Sequence, residues 1–69
     1  MRLKLKKKIW RNKLLSMQES GMGYQIVDIK LKNGCVIRKV LVFNSEIIEL
    51  PAGYEYIRER DIVQIELSK

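Results

Sequence analysis

The sequence has no histidine, one cysteine (Cys35) and one proline (Pro51), and each shortage removes a class of function. Histidine is the commonest general base near neutral pH, so its absence argues against acid–base catalysis. It also rules out a Cys–His nucleophile and any zinc site built from both residue types. A lone cysteine cannot close an intramolecular disulfide, which fits a reducing compartment. Cys35, beside a turn, reads as a small hydrophobe. The longest unbroken apolar stretch is Val40–Phe43, far short of a membrane span. Arg11, Asn12 and Lys13 interrupt what a signal peptide would need as its apolar segment. The expectation is a cytoplasmic, non-enzymatic protein without cofactor or small-molecule substrate. Gly21-Met22-Gly23 lacks the third glycine and the strand-then-helix setting of a phosphate loop. The acids Glu46 with Glu49, or Glu59 with Asp61, read as solvent-facing strand and loop residues rather than catalytic pairs.

Acidic residues are missing from the first 18 positions, where seven bases stand: Arg2, Lys4, Lys6, Lys7, Lys8, Arg11 and Lys13. Seven bases against eight acids follow from residue 19 onward, so the net charge of +6 belongs to the N-terminal segment. A basic arm on a near-neutral body suits nucleic acid, an acidic protein surface or an anionic membrane. An interfacial helix needs a clean apolar face. Lys7 falls within the stripe formed by Leu3, Trp10, Leu14 and Met17, so no membrane partner is expected.

With 69 residues there is room for one domain, burying only ~60% of the surface of the unfolded chain. Residues 3–18 lack Gly and Pro and are rich in helix formers, which predicts a helix there. Its first turns are expected to fray. Gly21 and Gly23 supply the stop. Residues 1–20 thus read as a basic helix or arm, and 21–69 as the body. In the body, Gln25, Val27, Ile29 and Leu31 alternate with Tyr24, Ile26, Asp28 and Lys30, the two-residue period of a strand. Asn33-Gly34 predicts a type I′ turn, and a second strand runs from Cys35 to Phe43 with a bulge at Arg38-Lys39. A turn at Asn44-Ser45 and a short strand over 46–50 follow, closed by Pro51-Ala52-Gly53. Residues 54–61 read as a loop with one helical turn. In the last strand, Ile62–Leu67, the residues Val63, Ile65 and Leu67 are expected to share a face. Four or five short, bent antiparallel strands after a helix favour a small barrel, which leaves no open edges.

Leu31-Lys32-Asn33-Gly34-Cys35-Val36-Ile37 followed by Leu41, and then Ile57-Arg58-Glu59-Arg60-Asp61-Ile62-Val63-Gln64-Ile65, resemble the two signature motifs of the Sm-like family. That resemblance implies an N-terminal helix, a bent five-stranded barrel, and strand edges that pair between copies in a ring. The chain departs from the family at the sites that hold RNA. Arg38-Lys39 stands where a strand glycine is usual, Asn44-Ser45-Glu46 where an Asp and an Asn are usual, and Glu59 where glycine follows the arginine. Arg58, and less closely Asn44, are the positions that carry over. Gly23-Tyr24-Gln25-Ile26-Val27 with the Asn-Gly hairpin also looks like a group of small uncharacterised prokaryotic proteins, a resemblance that implies no activity.

Lys4, Lys6, Lys7, Lys8, Arg11 and Lys13, with Arg58, are the candidate contacts to RNA or DNA phosphates, since such contacts release counterions and bind regardless of sequence. The competing reading of the lysines is a solvated tail. Trp10 either stacks on a base or anchors the helix on the body, the role that small-core energetics favours. Tyr54 and Arg60, with Trp10, are candidates for a partner surface, because Tyr and Arg are enriched at contacts. Against that, Tyr56 and Ile57 would close one end of the barrel. A second functional class stands beside nucleic-acid binding: a protein-interaction or homo-oligomeric assembly domain.

Overall fold

The computed structural model describes residues 2–68. Their elements run β1 (Arg2–Lys4), α1 (Lys8–Ser16), β2 (Tyr24–Leu31), β3 (Val36–Phe43), β4 (Ile47–Glu49), a 3-10 turn (Glu59–Asp61) and β5 (Ile62–Leu67). All five strands join one antiparallel sheet in the order β1-β4-β3-β2-β5.

The period of two in β2 translates directly into burial. Gln25, Val27, Ile29 and Leu31 point into the core, while Tyr24, Ile26, Asp28 and Lys30 do not. The expected bulge is present: Val27 pairs with Val40 and Ile29 with Ile37, so Asp28 alone faces Arg38 and Lys39. Lys39 takes a positive φ of 56°, and its N–H donates to Asp28 Oδ1 at 3.0 Å. Asp28 therefore satisfies the amide that the bulge takes out of the ladder.

The type I′ turn expected at Asn33-Gly34 is not formed there. At Asn33-Gly34 only the glycine has positive φ. The Gly34 N–H donates to Leu31 O and the Leu31 N–H to Cys35 O, the pattern of a three-residue loop ending in a left-handed glycine. Asn33 Oδ1 accepts the Cys35 N–H at 3.0 Å. Positive φ at both central residues appears instead at Asn44 (53°) and Ser45 (58°), where the Glu46 N–H donates to Phe43 O. Serine tolerates that region poorly, so Ser45→Gly is expected to stabilise the fold by about 0.5–1 kcal/mol net of glycine's entropy cost. Thermal unfolding would register this as a rise of several degrees in Tm.

The N-terminal segment differs from the expected helix over 3–18. Its first residues are a strand: Arg2, Leu3 and Lys4 pair with Glu49, Ile48 and Ile47. Leu3 and Leu5 alternate with Arg2 and Lys4, and this short period of two prevails because it seats Leu5 in the core. The helix occupies Lys8–Ser16 and ends before either glycine, with Met17 already extended. In β5, Ile62 and Ile65 are buried whereas Val63 is exposed. A register shift against Lys30/Leu31 inserts an extra residue and turns Val63 outward, so the expected Val63–Ile65–Leu67 face is not kept.

Bent by these irregularities, the sheet curls around a core that includes Val27, Ile29, Val42, Ile48 and Ile65. It is not closed: β1 pairs only with β4 and β5 only with β2 among the described residues. The segment between β4 and β5 contributes Leu50 and Ile57 to the core.

Candidate nucleic-acid interface

β1 fixes the first cations. Arg2 and Lys4 occupy exposed positions on either side of half-buried Leu3. The Arg2 guanidinium lies 5.5 Å from the Phe43 ring centre and 3.7 Å from Glu49 Oε2. Leu5 extends the pairing by one bond, its N–H donating to Glu46 O, and buries its side chain.

The chain then turns, and one acid of the body holds that turn. Glu59 accepts the Lys6 N–H on both carboxylate oxygens, at 3.0 and 3.1 Å, and the Lys7 N–H on Oε2 at 2.8 Å. These are charge-assisted bonds to backbone just ahead of α1, where a negative charge also complements the helix dipole. Glu59 stands where the Sm-like motif has glycine, and its role here is to fasten the basic segment to the body.

Helix α1 presents Lys8 and Arg11 to solvent. Trp10 is half-buried and packs on the core together with Leu3, Met17 and Tyr54, while Leu14 is fully buried. The helix C-terminus is held by Gln25. Its side chain is 2% exposed, and Nε2 donates to Leu14 O at 2.8 Å and Met17 O at 3.2 Å. Lys13 lies 3.5 Å from Glu66 Oε1.

Of the seven N-terminal cations, Arg2 and Lys13 thus have acidic partners. Lys4, Lys6, Lys7, Lys8 and Arg11 have none within 4 Å among the described residues. Their side chains are exposed while their backbone is fixed by a strand, a carboxylate clamp and a helix.

The second cluster lies on the 3-10 turn. Asp61 Oδ2 accepts the Arg58 N–H at 2.9 Å, and its backbone C=O accepts the Lys32 N–H. Lys32 Nζ lies 3.4 Å from Asp61 Oδ1. The Arg58 amide bond, with smaller help from Lys32 and Arg60 and against some desolvation, holds the Asp61 carboxyl below its ordinary pKa. Arg58 and Arg60 are exposed. No hydrogen bond or ion pair joins Arg58 to Asn44 among the described residues.

The tyrosines are distributed otherwise than in either sequence reading. Ile57 is buried, Tyr54 packs half-buried on the core, and Tyr56 is 64% exposed. A hollow of about 210 Å³ opens beside Tyr56, lined also by Leu31, Lys32, Asn33, Ile57 and Asp61. A wider hollow of about 450 Å³ lies at the helix C-terminus. Among the described residues its one charged lining residue is Glu19, so it offers a phosphate no cation. Among the described residues no cluster of three His, Cys, Asp or Glu side chains could hold a metal ion, and no helix is long and apolar enough to cross a membrane.

Two roles were not read from the sequence, the carboxylate clamp of Glu59 and the helix-end bonds of Gln25, and Tyr56, expected at a closed end of the barrel, is instead exposed. The position of Glu59 after Arg58, in place of glycine, was the one visible signal. Comparison with protein families, with curated proteins and with solved structures finds no match for this chain, so the reading of this surface rests on its own residues.

Proposed function

We propose that the chain is a non-enzymatic, cytoplasmic binding module, Sm-like in its bent sheet, that grips the phosphate backbone of nucleic acid through its N-terminal segment. The observation that carries this reading is the set of five exposed cations, Lys4, Lys6, Lys7, Lys8 and Arg11, without acidic partners among the described residues. Exposed lysines with no internal counter-charge are free to replace condensed counterions along a polyanion. Arg58 on the neighbouring turn is a further phosphate contact.

The test substitutes Lys4, Lys6, Lys7 and Lys8 together by Gln, which removes charge but leaves the backbone bonds to Glu59 intact. Affinity for labelled RNA at low salt should fall steeply, with the unfolding midpoint nearly unchanged. Unaltered affinity would refute the proposal.

A second reading, homo-oligomeric assembly, is favoured by the two sheet edges. β1 and β5 are the outer strands of the sheet, each with one strand neighbour among the described residues, so β1 of one copy could pair with β5 of the next. Sedimentation across concentration would show a multimer if this reading holds and a monomer if it does not.

A further inference from the structure

We propose that the hollow beside Tyr56 is a stacking subsite for one unpaired base, so that the polyanion held by the basic segment is a single strand. The inference rests on the phosphate-binding reading above and adds the class of ligand.

Tyr56 is a large aromatic side chain left 64% exposed on a backbone that is held on both sides. Before it, the Tyr54 N–H donates to Pro51 O across a turn in which Gly53 has a φ of 94°; after it, the Ile57 N–H donates to Tyr54 O. Ile57 is buried in the core, which fixes the direction in which Tyr56 leaves the surface. Tyr54 supports it from behind, with ring centres 6.4 Å apart and planes inclined by 31°. A platform with few degrees of freedom loses little entropy when a ligand covers it.

The hollow beside Tyr56 is lined by apolar Leu31 and Ile57 and by polar Lys32, Asn33 and Asp61. At about 210 Å³ it is below the ~300 Å³ at which drug-sized pockets begin, a size for a single flat ring rather than a whole cofactor. Arg58 and Arg60 follow Tyr56 at two and four residues and are exposed, while Lys32 in the lining is ion-paired with Asp61. Glu59, between the two arginines, is bonded to the backbone of Lys6 and Lys7. The cationic segment is thereby fastened to the turn that follows Tyr56 in the chain.

An aromatic platform bordered by cations is how proteins hold single strands without reading their sequence. In a duplex the base faces are covered by their neighbours and only edges and phosphates are available. Tyr56 can gain from a single strand what a duplex cannot offer it.

The test compares the full chain with Tyr56→Ala and Tyr56→Phe, using a short mixed-sequence RNA strand and a duplex with the same number of phosphates. Tyr56→Ala should weaken single-strand binding roughly 5- to 150-fold, leave duplex binding unchanged, and Tyr56→Phe should restore the wild-type affinity. Because the side chain is exposed, the unfolding midpoint should not move. If Tyr56→Ala binds single strands like wild type while the four-lysine variant does not, the subsite is overturned and the phosphate reading stands. If wild type binds neither RNA at low salt, both fall.

Discussion

Leu5→Ala is expected to cost about 2–5 kcal/mol, although residue 5 belongs to a segment that composition alone would assign to a solvated tail. Leu5 is 1% exposed and sits in the same apolar cluster as Ile48, Ile57 and Ile65. The total stability of a chain this size is about 3–10 kcal/mol, so a cavity there consumes much of it. Urea denaturation should show a large fall in midpoint. An unchanged midpoint would mean that the N-terminal segment is not docked. The same placement makes removal of residues 1–13 an unsuitable probe of binding, since it strips Leu5 from the core along with the lysines. Neutralising exposed side chains one set at a time avoids this.

Gln25→Met is expected to cost about 1–3 kcal/mol although it conserves length and apolar stem. The amide is the donor for Leu14 O and Met17 O at the end of α1. Methionine has no donor, so the Leu14 carbonyl would keep only the Met17 N–H and the Met17 carbonyl would lose its side-chain donor. Helix α1 has nine residues, too few to persist without docking, so loosening its C-terminus loosens the whole basic segment. Amide hydrogen exchange should accelerate across 8–16 in the variant and remain slow in β2 and β3. Exchange unchanged in the helix would show that Gln25 does not hold it.

The body was largely legible in the sequence because its signals are local. Alternation in β2 survives folding, and the Arg38-Lys39 break marks a bulge because two successive cations cannot both face the core. The turn types were less legible. Asn-Gly accepts a type I′ turn, but backbone bonds from Leu31 and Gly34 select a longer loop there. The N-terminal segment was misread where two periods overlap: Leu3 lies on the helical stripe with Trp10 and Leu14 and also alternates with Leu5. Burial of Leu5 decides in favour of a strand, and that is a tertiary fact. Of the candidate site, the cations were visible as composition. Which of them have acidic partners was not, since Glu49 and Glu66 reach Arg2 and Lys13 from distant positions. The Glu59 clamp likewise joins residues more than fifty positions apart, and no local pattern announces it.

Tyr54 and Tyr56 illustrate the same division. Alternation says that neighbours in a strand take opposite sides, but residues 51–58 are successive turns, where side-chain direction follows backbone bonds instead. Ile57 goes in, and Tyr56 comes out.

Whether the five cations that lack acidic partners among the described residues meet phosphates is tested most directly by the salt dependence of wild-type binding to a single-stranded RNA. Each phosphate neutralised on a single strand contributes about −0.7 to the slope of log K against log salt. Contacts from Lys4, Lys6, Lys7, Lys8 and Arg11 together predict a slope of about −3.5, reduced to about −0.7 in the four-lysine variant. A flat dependence, or no binding at low salt, would contradict the account and leave edge-to-edge assembly as the reading to pursue.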